Sequence, residues 1–249
     1  MYIDLLRNAV SGRVIEDRPI LSFSHWSDIF KPRRFDPTTR ERGRDWPSQA
    51  HTMIGTLRLN NLQQCIESVL SDSVPGDLIE TGVWRGGATI FMRGVLKAYG
   101  VTDRTVWVAD SFAGLPPPDS KQYRADRWSG AHLIKVLAVS EDEVRSNFTK
   151  YDLLDERVRF LKGWFRDSLP TAPIDKLAIV RLDGDMYEST MDGLTNLYPK
   201  LSSGGYVIVD DYVLPACAKA VSDYRLAHQI TEPIVDIDGV GAYWRRSHA

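Results

Sequence analysis

Asp183-Gly184-Asp185 and Asp210-Asp211 each close a short run of apolar, strand-prone residues, Leu177–Leu182 and Gly205–Val209. Crowded carboxylates raise one another's pKa unless a cation neutralises them, and no obvious cationic partner stands near these four in sequence. A hard divalent ion with oxygen ligands answers that need, and Mg²⁺ usually keeps waters that a substrate can replace. A strand-end aspartate that merely caps its loop is the plainer reading for either site taken alone. Two doubled sites favour a metal. The five histidines, His25, His51, His132, His228 and His248, show no paired spacing for ligation.

A second stretch, Asp77–Gly87, reads Asp-Leu-Ile-Glu-Thr-Gly-Val-Trp-Arg-Gly-Gly. Leu78 and Ile79 begin a buried strand, Glu80 lies near its end, and Gly82, Gly86 and Gly87 break the pattern before a helical run, Ala88–Tyr99. Backbone N–H groups at such a helix start favour a negative ligand, and Glu80 can receive a cation or an amine. A small carboxylate and an amine together suit the amino-acid part of S-adenosylmethionine. A glycine turn that only lets the helix pack on the strand is the alternative. The spacing departs from the dinucleotide fingerprint Gly-x-Gly-x-x-Gly, which disfavours a nicotinamide oxidoreductase. The next buried strand, Thr105–Asp110, also ends in an acid, and in nucleotide-binding α/β folds an acid there accepts from ribose hydroxyls. Asp110 capping the following loop is the competing reading.

These acids need strand ends to hold them, and the chain supplies them in repeating order. Strand and helix alternate from Leu78 onward: Val158–Leu161, Leu177–Leu182 and Gly205–Val209 follow as strands, with helices over Glu141–Leu154, Tyr187–Tyr198 and Ala216–Ala227. Ile234–Asp238 and Ala242–Arg246 close the chain as an antiparallel hairpin. The pattern predicts a doubly wound α/β sheet whose ligands sit outside the carboxyl ends of the strands. Glu80, Asp110, Asp183, Asp185, Asp210 and Asp211 would gather on that edge. Residues two apart in an extended strand share a face, so Asp185 is expected roughly 7 Å beyond Asp183 towards an acceptor. Before the sheet, Tyr2–Val10 is a short amphipathic helix that caps the fold, covers a ligand or meets a partner subunit. Leu57–Leu70 is a second helix. Aromatic and basic residues interleave over 25–49, but Asp28, Asp36, Glu41 and Asp45 dilute the charge, so this segment reads as a solvated, partly mobile lid rather than a nucleic-acid surface. Phe112–His132, with Pro116–Pro118, is long for a connection and reads as a substrate-facing loop. Trp164 and Phe165 either flank an adenine or fill core.

The 249 residues carry a formal net charge of −2, which gives no global field for nucleic acid. Two distant cysteines, Cys65 and Cys217, imply neither a disulfide framework nor a metal site. With no signal-peptide pattern and no membrane-spanning run, the expectation is a cytoplasmic protein of one domain over 1–249, with helices and lid in 1–75 and the α/β core in 76–249.

Glu80-Thr-Gly-Val-Trp-Arg-Gly-Gly, Trp107-Val-Ala-Asp-Ser-Phe, Arg181-Leu-Asp-Gly-Asp and Val209-Asp-Asp-Tyr together resemble the macrocin O-methyltransferase family. Gly43-Arg-Asp-Trp-Pro, His51-Thr-Met-Ile-Gly and Tyr243-Trp-Arg-Arg extend the resemblance over nearly the whole chain. It implies a Rossmann-like class I methyltransferase that uses S-adenosylmethionine and Mg²⁺ to methylate a sugar hydroxyl on a glycosylated natural product, such as a macrolide or aminocoumarin. By that resemblance Asp183, Asp210 and Asp211 would bind the metal and Asp185 would be the general base. Glu80, Gly82, Gly86, Asp110, Ser111, Thr52 and Met53 would form the cofactor site. A homo-oligomer is expected. The match is loosest over Lys31–Arg40 and Gly114–Gly130. A catechol-type enzyme acting on a phenolic diol, or a ligand-binding module without turnover, would use the same acids.

Overall fold

The computed structural model describes residues 1–22, 34–127 and 129–247. Its N-terminal part comprises α1 (Tyr2–Val10), β1 (Pro19–Ser22), α2 (Pro37–Glu41), β2 (Asp45–Pro47) and α3 (Gly55–Ser71). The core then runs β3 (Asp77–Thr81), α4 (Gly87–Ala98), β4 (Val106–Asp110), α5 (Glu141–Lys150), β5 (Val158–Lys162) and α6 (Phe165–Ser168). It continues through β6 (Leu177–Leu182), α7 (Tyr187–Leu197), β7 (Leu201–Val209), α8 (Pro215–Ala227), β8 (Val235–Asp236) and β9 (Ala242–Arg245).

Seven strands form one sheet in the order β5-β4-β3-β6-β7-β9-β8. The first five are parallel, and β9 joins β7 and β8 antiparallel. Strand order reverses between β3 and β6, the switch point where the loops diverge and leave a crevice. Strand alternation builds a core on each face. Leu78, Val106 and Val108 point to the layer of α1, α3, α4 and α5, while Ile79, Trp107 and Ala109 point to that of α6, α7 and α8. Each fully buried aliphatic side chain contributes roughly 1.5–3 kcal/mol, so a one-residue slip of a strand would forfeit both layers. Among the described residues no helix is long and apolar enough to cross a membrane.

The helix Tyr2–Val10 is a cap on the core: Leu6 and Val10 are buried against α3 and α4. The segment 25–49 differs from a solvated lid where it is described; residues 23–33, with His25, Trp26 and Phe30, lie outside the described residues. Arg40 is fully buried and donates to both oxygens of Asp45, at 2.8 and 2.9 Å, and to the carbonyls of Ser11 and Asp17. Asp17 in turn accepts from the Gln49 and Ala50 N–H groups at 2.8 Å. A buried guanidinium with every face paired fixes a corner, because leaving one donor unpaired would cost on the order of 1–3 kcal/mol. β1 and β2, which pair in this corner, were hidden in the sequence by their brevity.

Candidate active site

The carboxyl ends of β3, β4, β6 and β7 open into a cavity of about 550 Å³ that Glu80, Gly82, Asp110, Ser111, Asp183, Asp185, Asp210 and Asp211 line. Thr52 and Met53, from the segment before α3, line it too. Gly86 does not. Its φ of 83° and the 2.7 Å that would separate an added Cβ from Val144 show a glycine needed for packing. The first N–H of α4, on Gly87, is already taken by the His51 carbonyl at 2.8 Å. Gly82 lines the cavity, while Gly86 and Gly87 let α4 close on its neighbours, the packing role that the sequence allowed.

Asp183, Asp210 and Asp211 each offer a carboxylate oxygen within 4.8 Å of the others. The backbone sets this up, since the Asp183 N–H donates to Thr81 O at 2.9 Å and the Asp210 N–H to Leu182 O at 2.8 Å. Spacing and chemistry of this donor set fit a hard divalent ion.

The expectation that these acids lack a cationic partner is corrected. Arg181, on β6 beside Glu80 of β3 in the register, pairs with Glu80, Asp183 and Asp210. Arg58 of α3 pairs with Asp210 as well. Arg181 stands two residues before Asp183, so strand alternation puts both on one face; that signal was in the sequence. Arg58 gave none, being 152 positions from Asp210. Two guanidiniums do not balance five carboxylates. Burial raises the pKa of Asp183 to about 6, with Asp210 adding to it and Arg181 opposing. Burial, then Asp183 and Asp210, raises Asp185 to about 7. Asp211 is pushed up by burial and by Asp185. Burial works against the charge of Arg181 too, but Asp210, Glu80 and Asp183 outweigh it and hold the guanidinium charged.

Asp185 is not on an extended strand end. Its φ is 58°, in the left-handed region, and its N–H donates to Asp211 at 3.1 Å. The backbone has turned before residue 185, so the expected 7 Å displacement does not apply, although Asp185 still lines the cavity.

On the other side, Glu80 is buried, and burial raises its pKa against the pull of Arg181. Its Oε2 has no hydrogen-bond partner, which leaves an acceptor for an ammonium group. Asp110 accepts from the N–H groups of Val83 at 2.8 Å and Phe112 at 2.7 Å. It thus caps its loop while facing the cavity, and burial raises its pKa despite those donors. Trp164 and Phe165 are lining residues, as are Leu115, Pro116, Ile134 and Leu137 of the long loop after β4. Trp84 Nε1 donates to Val136 O at 2.8 Å and moors that loop to the glycine turn. Trp128 lies outside the described residues.

This sheet order, with its C-terminal antiparallel hairpin, defines an α/β methyltransferase fold, in which S-adenosylmethionine is the implied methyl donor. The solved O-methyltransferase NovP shares it with a TM-score of 0.91 at 55% identity, covering 99% of this chain and 98% of that one. A family model described as macrocin-O-methyltransferase matches residues 1–246; the chain belongs to that family and is an O-methyltransferase. It is 56% identical over 250 residues to demethyldecarbamoylnovobiocin O-methyltransferase of Streptomyces niveus, covering 99% of this chain and 94% of that protein. It is 52% identical over 250 residues to mycinamicin III 3''-O-methyltransferase of Micromonospora griseorubida, covering 99% and 96%.

Proposed function

We propose that this enzyme transfers a methyl group from S-adenosylmethionine to a sugar hydroxyl of a glycosylated natural product, with Mg²⁺ held by Asp183, Asp210 and Asp211. The observation that carries the reading is the meeting of those three carboxylates, within 4.8 Å of one another, in one cavity with Glu80 and Asp110. The names of the relatives above, which are enzymes of novobiocin and mycinamicin chemistry, support the substrate class.

Glu80 and Asp110 take the amine and ribose ends of the donor, beside Gly82, Ser111, Thr52 and Met53. A bound Mg²⁺ supplies Lewis acidity that lowers the pKa of an alcohol and fixes its oxygen. Asp185 receives the hydroxyl proton as the acceptor oxygen forms its bond to the methyl carbon and the carbon–sulfur bond breaks. A carboxylate raised towards neutrality suits that task, because a general base works best with a pKa near the working pH. Leu115, Pro116, Ile134 and Leu137 exclude water from the acceptor side, which strengthens the electrostatics within. The same proposal takes the protein as cytoplasmic and oligomeric, with the exposed Tyr2 and Leu5 on α1 available to a partner subunit.

The test is purified protein with labelled methyl donor, a panel of glycosides and simple catechols, and parallel reactions in chelator. Glycoside turnover that stops in chelator and returns with Mg²⁺ is expected. Full activity in chelator would remove the metal, and turnover confined to catechols would remove the sugar.

A further inference from the structure

Arg58 joins three parts of the site wall. Its Nη1 donates to Asp210 Oδ2, and its Nη2 reaches Gly43 O at 3.4 Å in the N-terminal corner. Its Nε lies 3.1 Å from Oδ2 of Asp238, in the hairpin turn between β8 and β9. Neither Nε nor Oδ2 makes a hydrogen bond, although both are buried. The other oxygen of Asp238 accepts from Val240 and Gly241 N–H at 3.0 Å and so holds the turn. Gly239 and Val240 line the cavity.

Asp210 gives one oxygen to Arg181 and the other to Arg58. A divalent ion that takes an Asp210 oxygen sets its charge beside these guanidiniums and weakens their hold on that carboxylate. Arg181 is held by three carboxylates from the ends of three adjacent strands, β3, β6 and β7. Arg58 is held at Asp210 by one contact and is already ion-paired with a second buried carboxylate, Asp238, at 3.1 Å but without a hydrogen bond.

We propose that Arg58, which bridges Asp210 and Asp238, is an exchangeable counter-cation: ion binding at Asp210 releases the guanidinium from that carboxylate and leaves it wholly to Asp238, which tightens the hairpin turn against the acceptor side of the cavity. This rests on the metal reading above and goes beyond it by assigning a positioning role to two residues outside the proposed ligand set.

The experiment is a double-mutant cycle read by Mg²⁺ calorimetry on wild type, Asp238→Asn, Arg58→Gln and the double variant, with hydrogen exchange at 239–241. With Arg58 present, Asp238→Asn should weaken Mg²⁺ binding about tenfold, because the displaced guanidinium loses its acceptor; in the Arg58→Gln background the loss should fall below about twofold. Mg²⁺ should protect the Val240 and Gly241 amides in wild type and not in Asp238→Asn. Equal losses in both backgrounds mean that Asp238 acts by charge alone and overturn the exchange while leaving the metal site intact. A wild-type protein that binds no Mg²⁺ overturns both. If Arg58→Gln does not fold, Arg58→Lys, which cannot span both carboxylates, takes its place in the cycle.

Discussion

A Cβ added at Gly82 would lie 1.6 Å from the carbonyl oxygen of Asp183. The glycine turn after β3 and the loop that carries the acid cluster are therefore in backbone contact, with no side chain between them to adjust. Gly82 also has a φ of 86°, so an alanine there meets both a clash and a left-handed backbone. We expect Gly82→Ala to cost about 3 kcal/mol or more and to weaken donor binding. Thermal unfolding and calorimetry with S-adenosylmethionine check this; an unchanged melting temperature would mean the two loops can part freely.

Glu80→Gln should weaken S-adenosylmethionine binding by about 1.5–3 kcal/mol, roughly ten- to a hundredfold, because the ammonium group loses a charged acceptor. Mg²⁺ affinity should move much less. Unchanged donor affinity would take Glu80 out of the donor site.

Arg181→Met leaves Glu80, Asp183 and Asp210 crowded and short of their shared cation. Removing one member of a buried ionic cluster typically costs about 3–5 kcal/mol, and urea unfolding should show a loss of that order near neutral pH. Wild-type stability would show that solvent already neutralises the cluster.

Asp185→Asn should lower turnover by about 10²–10⁴-fold with donor affinity unchanged. The wild-type rate should fall at low pH as Asp185 becomes protonated, and that acidic limb should vanish in the variant. Parallel loss of Mg²⁺ binding would make the residue a ligand instead.

Stability should also depend on pH and Mg²⁺ together. The folded-state pKa values of Asp183 and Asp185, about 6 and about 7, lie above the ordinary aspartate value of 3.8. Between those limits the folded protein binds more protons than the unfolded chain, so stability in chelator falls as pH rises from about 4 to 7. Mg²⁺ prefers the ionised acids, and at a hundred times its Kd adds about 2.7 kcal/mol. The rise in melting temperature on adding Mg²⁺ should therefore be larger at pH 8 than at pH 6. Equal rises would place the ion elsewhere.

Much of this was legible because strands declare themselves locally. Leu177–Leu182 and the acids after it could be read directly, and the alternating strands and helices left one architecture. What escaped depended on contacts distant in sequence or on single dihedral angles. Arg58 reaches Asp210 only once α3 has docked. Asp185 leaves the extended path through one left-handed residue that no propensity foretells. Arg40, seen as one cation in a mixed-charge run, is the buried centre of a corner because Asp45 and two carbonyls converge on it. Gly86 resembled its neighbour in the turn, yet it serves α4.

The Val10 carbonyl, at the end of α1, accepts from both the His51 and Thr52 N–H groups, at 2.9 and 3.1 Å. The lip bearing Thr52 and Met53 therefore hangs from the first helix, none of whose residues lines the cavity. Chimaeras that graft only the sheet-bearing part of one relative onto another will inherit the cavity without the hanger of this lip. With the proposed donor site, trimming the amino terminus would be recorded in assays as a defect in methyl-donor affinity.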